Sequence, residues 1–293
     1  MKLRAALSIL LLSIAAWSAP PVKLKVAAVQ FRSSFSVEDN RKRMVETLTR
    51  LSAEGVNVAV FPECALTGYH KDAVLAASAG EVAAAEESIR KACAAGKIAA
   101  IAGSVYKING RTYNTAVVFN SRGELVERYA KVYLAGEKWA TPGNHIALFD
   151  LEGASSTVII CHDERYPELA RLPALAGARV LYYISHESGM ATESKLVPYR
   201  AQMMARAVEN HMFAVAANAP ANIKDNSGSH GQSRIVFDDG NIAREASFYG
   251  EDILVETLSI APAALDRPLR ELLGGWWRQG LDWMMANRNK PLE

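Results

Sequence analysis

The 293-residue sequence predicts a layered α/β domain with helices outside and mixed sheets inside. Three observations carry that expectation. Short runs rich in β-branched residues alternate with segments of helical composition nearly throughout. Hairpin signals replace helices toward the C-terminal third. No Gly-, Pro- or Ser-rich linker and no repeat interrupts the alternation. Half of the residues are hydrophobic and 22% are charged, an ordinary globular balance that can bury a core. The formal net charge is +2, from 33 basic and 31 acidic residues. So even a balance argues against a charge-driven partner such as nucleic acid or an anionic membrane surface.

Taken in order, "LKVAAVQF" opens as a strand and Val37 to Ala53 has helical composition. "VNVAVFPE" is a strand ending at Glu63, Glu81 to Ala95 an Ala- and Glu-rich helix, and "IAAIAGSVY" a returning strand. "TYNTAVVFNSRGELVERYAK" reads as two strands joined by a turn at Ser121-Arg122-Gly123. "HIALFDLEGASSTVIIC" is a strand pair turning near Gly153. In its second member Val158, Ile159 and Ile160 are uninterrupted and β-branched, the mark of a buried strand. A helix follows, with Pro167 in its first turn and Glu168 at its positive end. Then come the strand "ARVLYYIS", a long helix from about Thr192 to Asn210, and the strand "MFAVAAN". "SRIVFDDGNIAREASF" is a hairpin with Asp-Gly at its turn, and "DILVETL" a last strand.

The two ends differ from this body. "MKLRAALSILLLSIAAWSAPPVK" has a short basic start, an apolar stretch from Ala5 to Trp17 and small residues near Ser18, the layout of a secretory signal peptide. The apolar stretch falls short of the roughly 20 residues a membrane span needs. Cleavage after Ser18 is expected, with no stable membrane anchor and delivery to the periplasm or the exterior. The expected organisation is therefore a signal peptide at 1–18, one domain at 19–261 and a tail at 262–293. The tail carries Trp276, Trp277 and Trp283 on an expected amphipathic helix, which a partner subunit or the chain's own core would cover. Cys64, Cys93 and Cys161 are odd in number, so at least one is unpaired within the chain. A Cys64–Cys93 bridge stays open.

Three strand ends present reactive side chains: Glu63 after "VAVFP", Lys131 after "VERYA" and Cys161 after "TVII". Each has a dull explanation alone, and a buried cysteine usually acts as a small hydrophobe. Together they make a coherent set. A thiolate attacks a carbonyl or nitrile carbon, but a free thiol is mostly protonated near neutral pH. An ammonium such as Lys131 favours the thiolate and can donate to a developing oxyanion. A carboxylate such as Glu63 can take the thiol proton and later activate water. The His162 N–H, at the start of the elbow, is a natural second oxyanion donor.

Four ordered stretches, "FPECALTGY", "YAKVYLAGEKWATPGN", "IICHDERYPELARLPALAGARVL" and "RAVENHMFAVAAN", with "HGQSRIVFDDGNI" as a weaker fifth, resemble the nitrilase, or carbon–nitrogen hydrolase, superfamily. They span roughly Leu24 to Glu256. The resemblance implies a four-layer α-β-β-α sandwich and a catalytic triad of Glu63 as general base, Lys131 as stabilising cation and Cys161 as nucleophile. It places the family's second pocket glutamate on Glu137, where it would orient Lys131 and the substrate. It implies no metal or organic cofactor. It also implies a homodimer or higher homo-oligomer, a role the Trp-bearing tail would fit. The expected activity is that of an exported thiol amidohydrolase acting on a small amide or ureido substrate. The alternatives are an N-carbamoyl amine hydrolase, an acyltransferase, and a catalytically silent binding protein of the same fold.

The departures from the family pattern bear on the substrate. The lysine motif usually continues His-Leu-Pro, whereas here Tyr133-Leu134-Ala135 follows, so the pocket is remodelled beside the lysine. Nitrile-cleaving members usually carry Trp-Glu after the cysteine; His162-Asp163 resembles the amidase and carbamoylase branches instead. Members acting on N-carbamoyl amino acids often hold the substrate carboxylate with two adjacent arginines after Cys-x-Asp. Glu164 stands at the first of these positions and leaves only Arg165, which disfavours an anionic substrate. Tyr69, Tyr133, Trp139, Arg165, His186 and Glu187 are the candidates for the pocket wall. Arg206 and Glu209 are expected to form an intrahelical ion pair.

Overall fold

The computed structural model describes residues 20–187 and 196–261, together with positions 275 and 279. The expected signal segment 1–18, the expected helix start at 192–195 and the tail tryptophans Trp276, Trp277 and Trp283 lie outside the described residues.

Two six-stranded sheets carry the fold. The first runs β12 (Asp252–Ile260), β1 (Val22–Gln30), β2 (Val58–Val60), β3 (Ala99–Ile108), β4 (Arg111–Phe119), β5 (Leu125–Ala130). The second runs β11 (Ile242–Glu245), β10 (Arg234–Val236), β9 (Phe213–Asn218), β8 (Val180–Ser185), β7 (Ala154–Ile160), β6 (Phe149–Leu151). Each has three parallel strands at its centre, β1-β2-β3 and β7-β8-β9, with antiparallel strands on both flanks.

Strand alternation builds the layers. Val26 and Ala28 of β1, Val58 and Val60 of β2, and Ile101 of β3 face Val158, Ile160, Tyr182, Ile184 and Val215 of the second sheet in one core. Their in-between neighbours Ala27, Val29, Ala59 and Ala100 turn outward, to Met44 and Leu48 of α1 (Val37–Ala53) and Ile89 of α3 (Ala79–Gly96). On the far side Ile159, Leu181, Tyr183 and Ala214 meet Leu169 and Ala170 of α4 (Glu168–Leu175) and Met203 and Ala207 of α5 (Leu196–Asn210). This is the expected four-layer α-β-β-α sandwich. Burial on both faces is why the central strands read as unbroken apolar runs.

Local signals set the helix ends. Ser36 caps α1 by accepting from the Asp39 N–H, and Ser78 with Glu81 forms a capping box on α3. A short helix, α2 (Lys71–Ala76), was not foreseen; His70 caps it, and six residues are too few to show a period. The elbow after β7 also differs from expectation. A 3-10 turn at Cys161–Arg165 precedes α4, and Pro167 sits at the helix cap rather than inside the first turn. Arg206 pairs with Glu209 at 2.9 Å, as expected. Cys64, Cys93 and Cys161 are all free thiols, so the open question of a Cys64–Cys93 bridge resolves against it.

Candidate active site

In an open α/β sheet, the loops leaving the carboxyl ends of parallel strands collect at one edge. β5 returns to the direction of β3 after two antiparallel pairings, so Lys131 emerges at the same edge as Glu63. The second sheet delivers Cys161 after β7, and His186 and Glu187 after β8.

Glu63 is buried with three partners. Its Oε1 accepts from Lys131 Nζ at 2.9 Å and from Asn114 Nδ2 at 2.6 Å, and its Oε2 from the His186 N–H at 2.8 Å. Gly103 of β3 makes room for this segment: a Cβ there would stand 1.9 Å from the Pro62 carbonyl oxygen. Gly143 does the same beside the lysine. Its N–H donates to the Lys131 carbonyl at 2.8 Å, and a Cβ would fall 2.1 Å from the Ala130 oxygen. Lys131 is fully buried and also donates to Glu137, whose Oε1 accepts from the Tyr69 hydroxyl at 2.9 Å.

Cys161 adopts φ 47°, a left-handed conformation uncommon for a residue with a side chain. Its carbonyl oxygen lies 3.3 Å from the oxygen of the Tyr183 hydroxyl, whose proton goes to Glu187. Its thiol points at the His186 carbonyl oxygen, 3.9 Å away. The backbone of one residue therefore joins the two sheets' contributions, since His186 donates its N–H to Glu63 and accepts the Cys161 thiol on its carbonyl.

The charges are unevenly stabilised. Burial raises the Glu63 carboxyl above its ordinary 4.5, more than Lys131 lowers it. Burial also pushes on Glu137, but there Lys131 prevails and keeps the carboxyl below 4.5. Burial disfavours the Lys131 charge, yet Cys161, Glu63 and Glu137 together outweigh it and keep the side chain cationic. The Cys161 thiol is pushed well up by burial and by the Glu63, Glu187 and Glu164 carboxylates, against Lys131. Burial, helped by Lys131 and His230, lowers the His186 imidazole to about 4, so it is neutral near pH 7. Two carboxylates flanking one ammonium thus differ in proton affinity, the arrangement that separates acid–base work from electrostatic support.

Cys161 opens into a cavity of about 310 Å³, at the small end of ligand sites. Of the expected wall residues Tyr69, His186 and Glu187 line it, together with His162, the expected oxyanion donor. Ala135, Glu164, Tyr199 and Gly228 line it as well, though none was singled out as a pocket residue from the sequence. Three expectations are corrected. Tyr133 is exposed and stacks on Tyr166, with ring centres 3.4 Å apart. Trp139 packs against the cluster of Cys64, Val74 and Val105. Arg165 lies against Tyr199, its guanidinium 5.5 Å from the ring centre. None of the three lines the cavity. A larger groove of about 610 Å³ beside Arg43, Glu46 and Asp252 has no cysteine in its described lining. Among the described residues no group of three or more His, Cys, Asp or Glu side chains is placed to hold a metal ion.

Two partners escaped the sequence reading. Asn114, a buried amide in the middle of an apolar strand, had a usable signal in that contrast. Asp163 is the other. It accepts from the Tyr129 hydroxyl at 2.8 Å, the Tyr133 N–H at 2.8 Å and the Ile160 N–H at 3.1 Å, and so ties the lysine segment to the cysteine turn.

A buried thiol beside a carboxylate–ammonium pair, at the shared edge of a four-layer sandwich, defines the class of covalent thiol hydrolases. The comparisons narrow the class. The carbon–nitrogen hydrolase family model matches residues 25–267, and the chain belongs to that family, within the nitrilase superfamily. The "Hydrolase in agr operon" of Staphylococcus aureus is 30% identical over 212 residues, 70% of this chain and 79% of that one. The 2-oxoglutaramate amidase of Bacillus subtilis is 27% identical over 229 residues, 76% of this chain and 86% of that one. Among solved structures, yeast Nit3 has a TM-score of 0.72 at 25% identity, covering 87% of this chain and 95% of its own. An amidase from Nesterenkonia sp. has a TM-score of 0.76 at 24% identity, covering 89% and 98%, a likeness of fold. The chain is a carbon–nitrogen hydrolase with amidase relatives.

Proposed function

We propose that the chain is a thiol amidohydrolase that cleaves the C–N bond of a small amide. Glu63 takes the Cys161 proton as the sulfur attacks the carbonyl carbon and forms the C–S bond. Lys131 and the His162 N–H hold the resulting oxyanion. The C–N bond then breaks, ammonia leaves with the proton from Glu63, and a thioester remains. Glu63 next removes a proton from water, whose oxygen attacks the thioester; the acid departs and the proton returns to the Cys161 sulfur. The raised proton affinity of Glu63 suits a group that must accept and return a proton twice per turnover. The observation that carries this reading is the His186 backbone, whose N–H meets the base carboxylate of one sheet and whose carbonyl meets the thiol of the other.

Export belongs to the same proposal and rests on the basic-apolar-small layout of Met1 to Ser18. One experiment tests both. Ammonia release from a panel of small amides, ureido compounds and nitriles is followed together with the intact mass of the protein. The expected result is turnover of amides, an acyl adduct on the wild type that Cys161→Ala lacks, and a mature chain beginning at Ala19. Turnover by Cys161→Ala overturns the nucleophile, and a secreted chain retaining residues 1–18 overturns cleavage.

A further inference from the structure

We propose that Glu164 and Glu187 form a recognition wall in the Cys161 cavity, and that the preferred substrates are small amides whose tail carries a cationic amine. This rests on the amide-hydrolase reading above and names its substrate class. Glu164 is 1% exposed and lines the cavity, yet its Oε2 has no hydrogen-bond partner. A buried carboxylate oxygen left unpaired is costly, and the cost is removed by a donor that arrives with the ligand. Glu187 lies on the same wall and is 6% exposed. Its oxygens are engaged from behind, Oε1 by the Tyr183 hydroxyl at 2.5 Å and Oε2 by His230 Nε2 at 2.8 Å. Glu164 is therefore the acceptor with open capacity, and Glu187 adds negative potential beside it.

The surrounding charges do not cancel that potential where a ligand would sit. Burial and the neighbouring Glu187 raise the Glu164 carboxyl well above its ordinary value, and Arg234 and Arg165, neither of which lines the cavity, offset this only in part, so an arriving ammonium is what draws it into the charged form. Arg234 is engaged by Glu245 at 3.6 Å and by the Gln232 carbonyl at 3.0 Å. Arg165 donates to the Tyr199 hydroxyl at 3.3 Å. The described lining holds no Arg or Lys at all. A primary ammonium brings three donors and no acceptor, the complement of this wall. A substrate carboxylate would meet two acidic side chains and no Arg or Lys in the described lining.

The test compares three amides of similar length: 5-aminopentanamide, neutral hexanamide and anionic glutaramate (5-amino-5-oxopentanoate). The wild type should prefer the cationic amide over the neutral one by roughly tenfold or more in kcat/KM, with the anionic one poorest. In Glu164→Gln the cationic-to-neutral ratio should fall by roughly tenfold, mainly through KM. A ratio needs no comparison of total activity, so partial loss of folded protein does not blur it. Calorimetric binding of 5-aminopentanamide and hexanamide to Cys161→Ala should show the same preference without chemistry. A wild type preferring the neutral or anionic amide overturns the inference and leaves the amidohydrolase standing, as does a ratio indifferent to Glu164→Gln. If no amide is turned over and no adduct forms, the hydrolase reading fails. Calorimetry then decides the cation wall by itself, equal binding of the two probes being the result that removes it.

Discussion

The two sheets share one plan, three parallel strands flanked by antiparallel ones, but their carboxyl ends are finished differently. The first sheet ends in a closed set of charges. Lys131 lies between Glu63 and Glu137, and Asn114 and Tyr69 fill further hydrogen-bonding positions on the two carboxylates. The second sheet ends in Cys161, Glu164 and Glu187, where a left-handed residue holds the thiol and one carboxylate oxygen has no donor. The closed half is saturated by the protein because its protonation states have to be set before a ligand arrives. The open half leaves hydrogen-bonding capacity that only a ligand can use. A site of this kind divides rigidity and selectivity between two structurally equivalent halves.

The largest effect should come from opening the closed half. Lys131→Met removes the only ammonium between two buried carboxylates and one oxyanion donor at once. We expect kcat to fall by about 10²–10³ and stability by about 3–5 kcal/mol, since breaking a buried ion pair leaves uncompensated charge. Adding Glu137→Gln to that variant should restore much of the stability and none of the rate. Steady-state kinetics and urea unfolding on both variants separate the two effects; rate recovery in the double variant would show that Lys131 acts only as a structural counter-charge.

A smaller effect should follow from disturbing the support of Glu63 without touching a charge. Gly103→Ala places a methyl group 1.9 Å from the Pro62 oxygen, so the Pro62–Cys64 backbone has to move. Overpacking of this kind costs about 1–3 kcal/mol, and a displacement near 1 Å at a reacting group can cost about 10²-fold in rate. The expected signature is a lower kcat with KM nearly unchanged. An unaltered kcat would mean that the strand end positions Glu63 less tightly than its three hydrogen bonds imply.

What was legible in the sequence follows the same division. Glu63, Lys131 and Cys161 stood out because buried β-branched runs stop abruptly at reactive residues, a pattern carried by neighbours in the chain. Their partners are distant: Asn114 reaches Glu63 across 51 positions and the His186 N–H across 123. No periodicity encodes such pairings. Trp139 was expected in the pocket because it follows the lysine motif, yet it packs on Val74 and Val105, a choice set by how two loops cross. Glu164 was visible as a departure from two arginines. That its Oε2 lacks a donor depends on where Tyr183 and Arg234 come to rest, and that is a property of the folded chain.

Asp163 offers the subtlest test, because it ties the closed half to the open one. It receives the Tyr129 hydroxyl and the Tyr133 N–H from the lysine side and the Ile160 N–H from the cysteine side. Burial raises its carboxyl from 3.8 to about 6, despite those donors. In the unfolded chain it would lose its proton near the ordinary value, so between about pH 4 and 6 the folded state binds more proton than the unfolded. Stability from this group is therefore full at low pH and falls as pH rises through that window, by up to about 3 kcal/mol at ~1.4 kcal/mol per pH unit. Asp163→Asn mimics the protonated acid and cannot titrate. It should unfold within about 1 kcal/mol of wild type at pH 4, gain on it between about pH 4 and 6 and then level off, read as urea midpoints at each pH. A gap that moves the other way would mean that the three donors hold Asp163 ionised in the folded state, and that the join between the two halves is an ionic one.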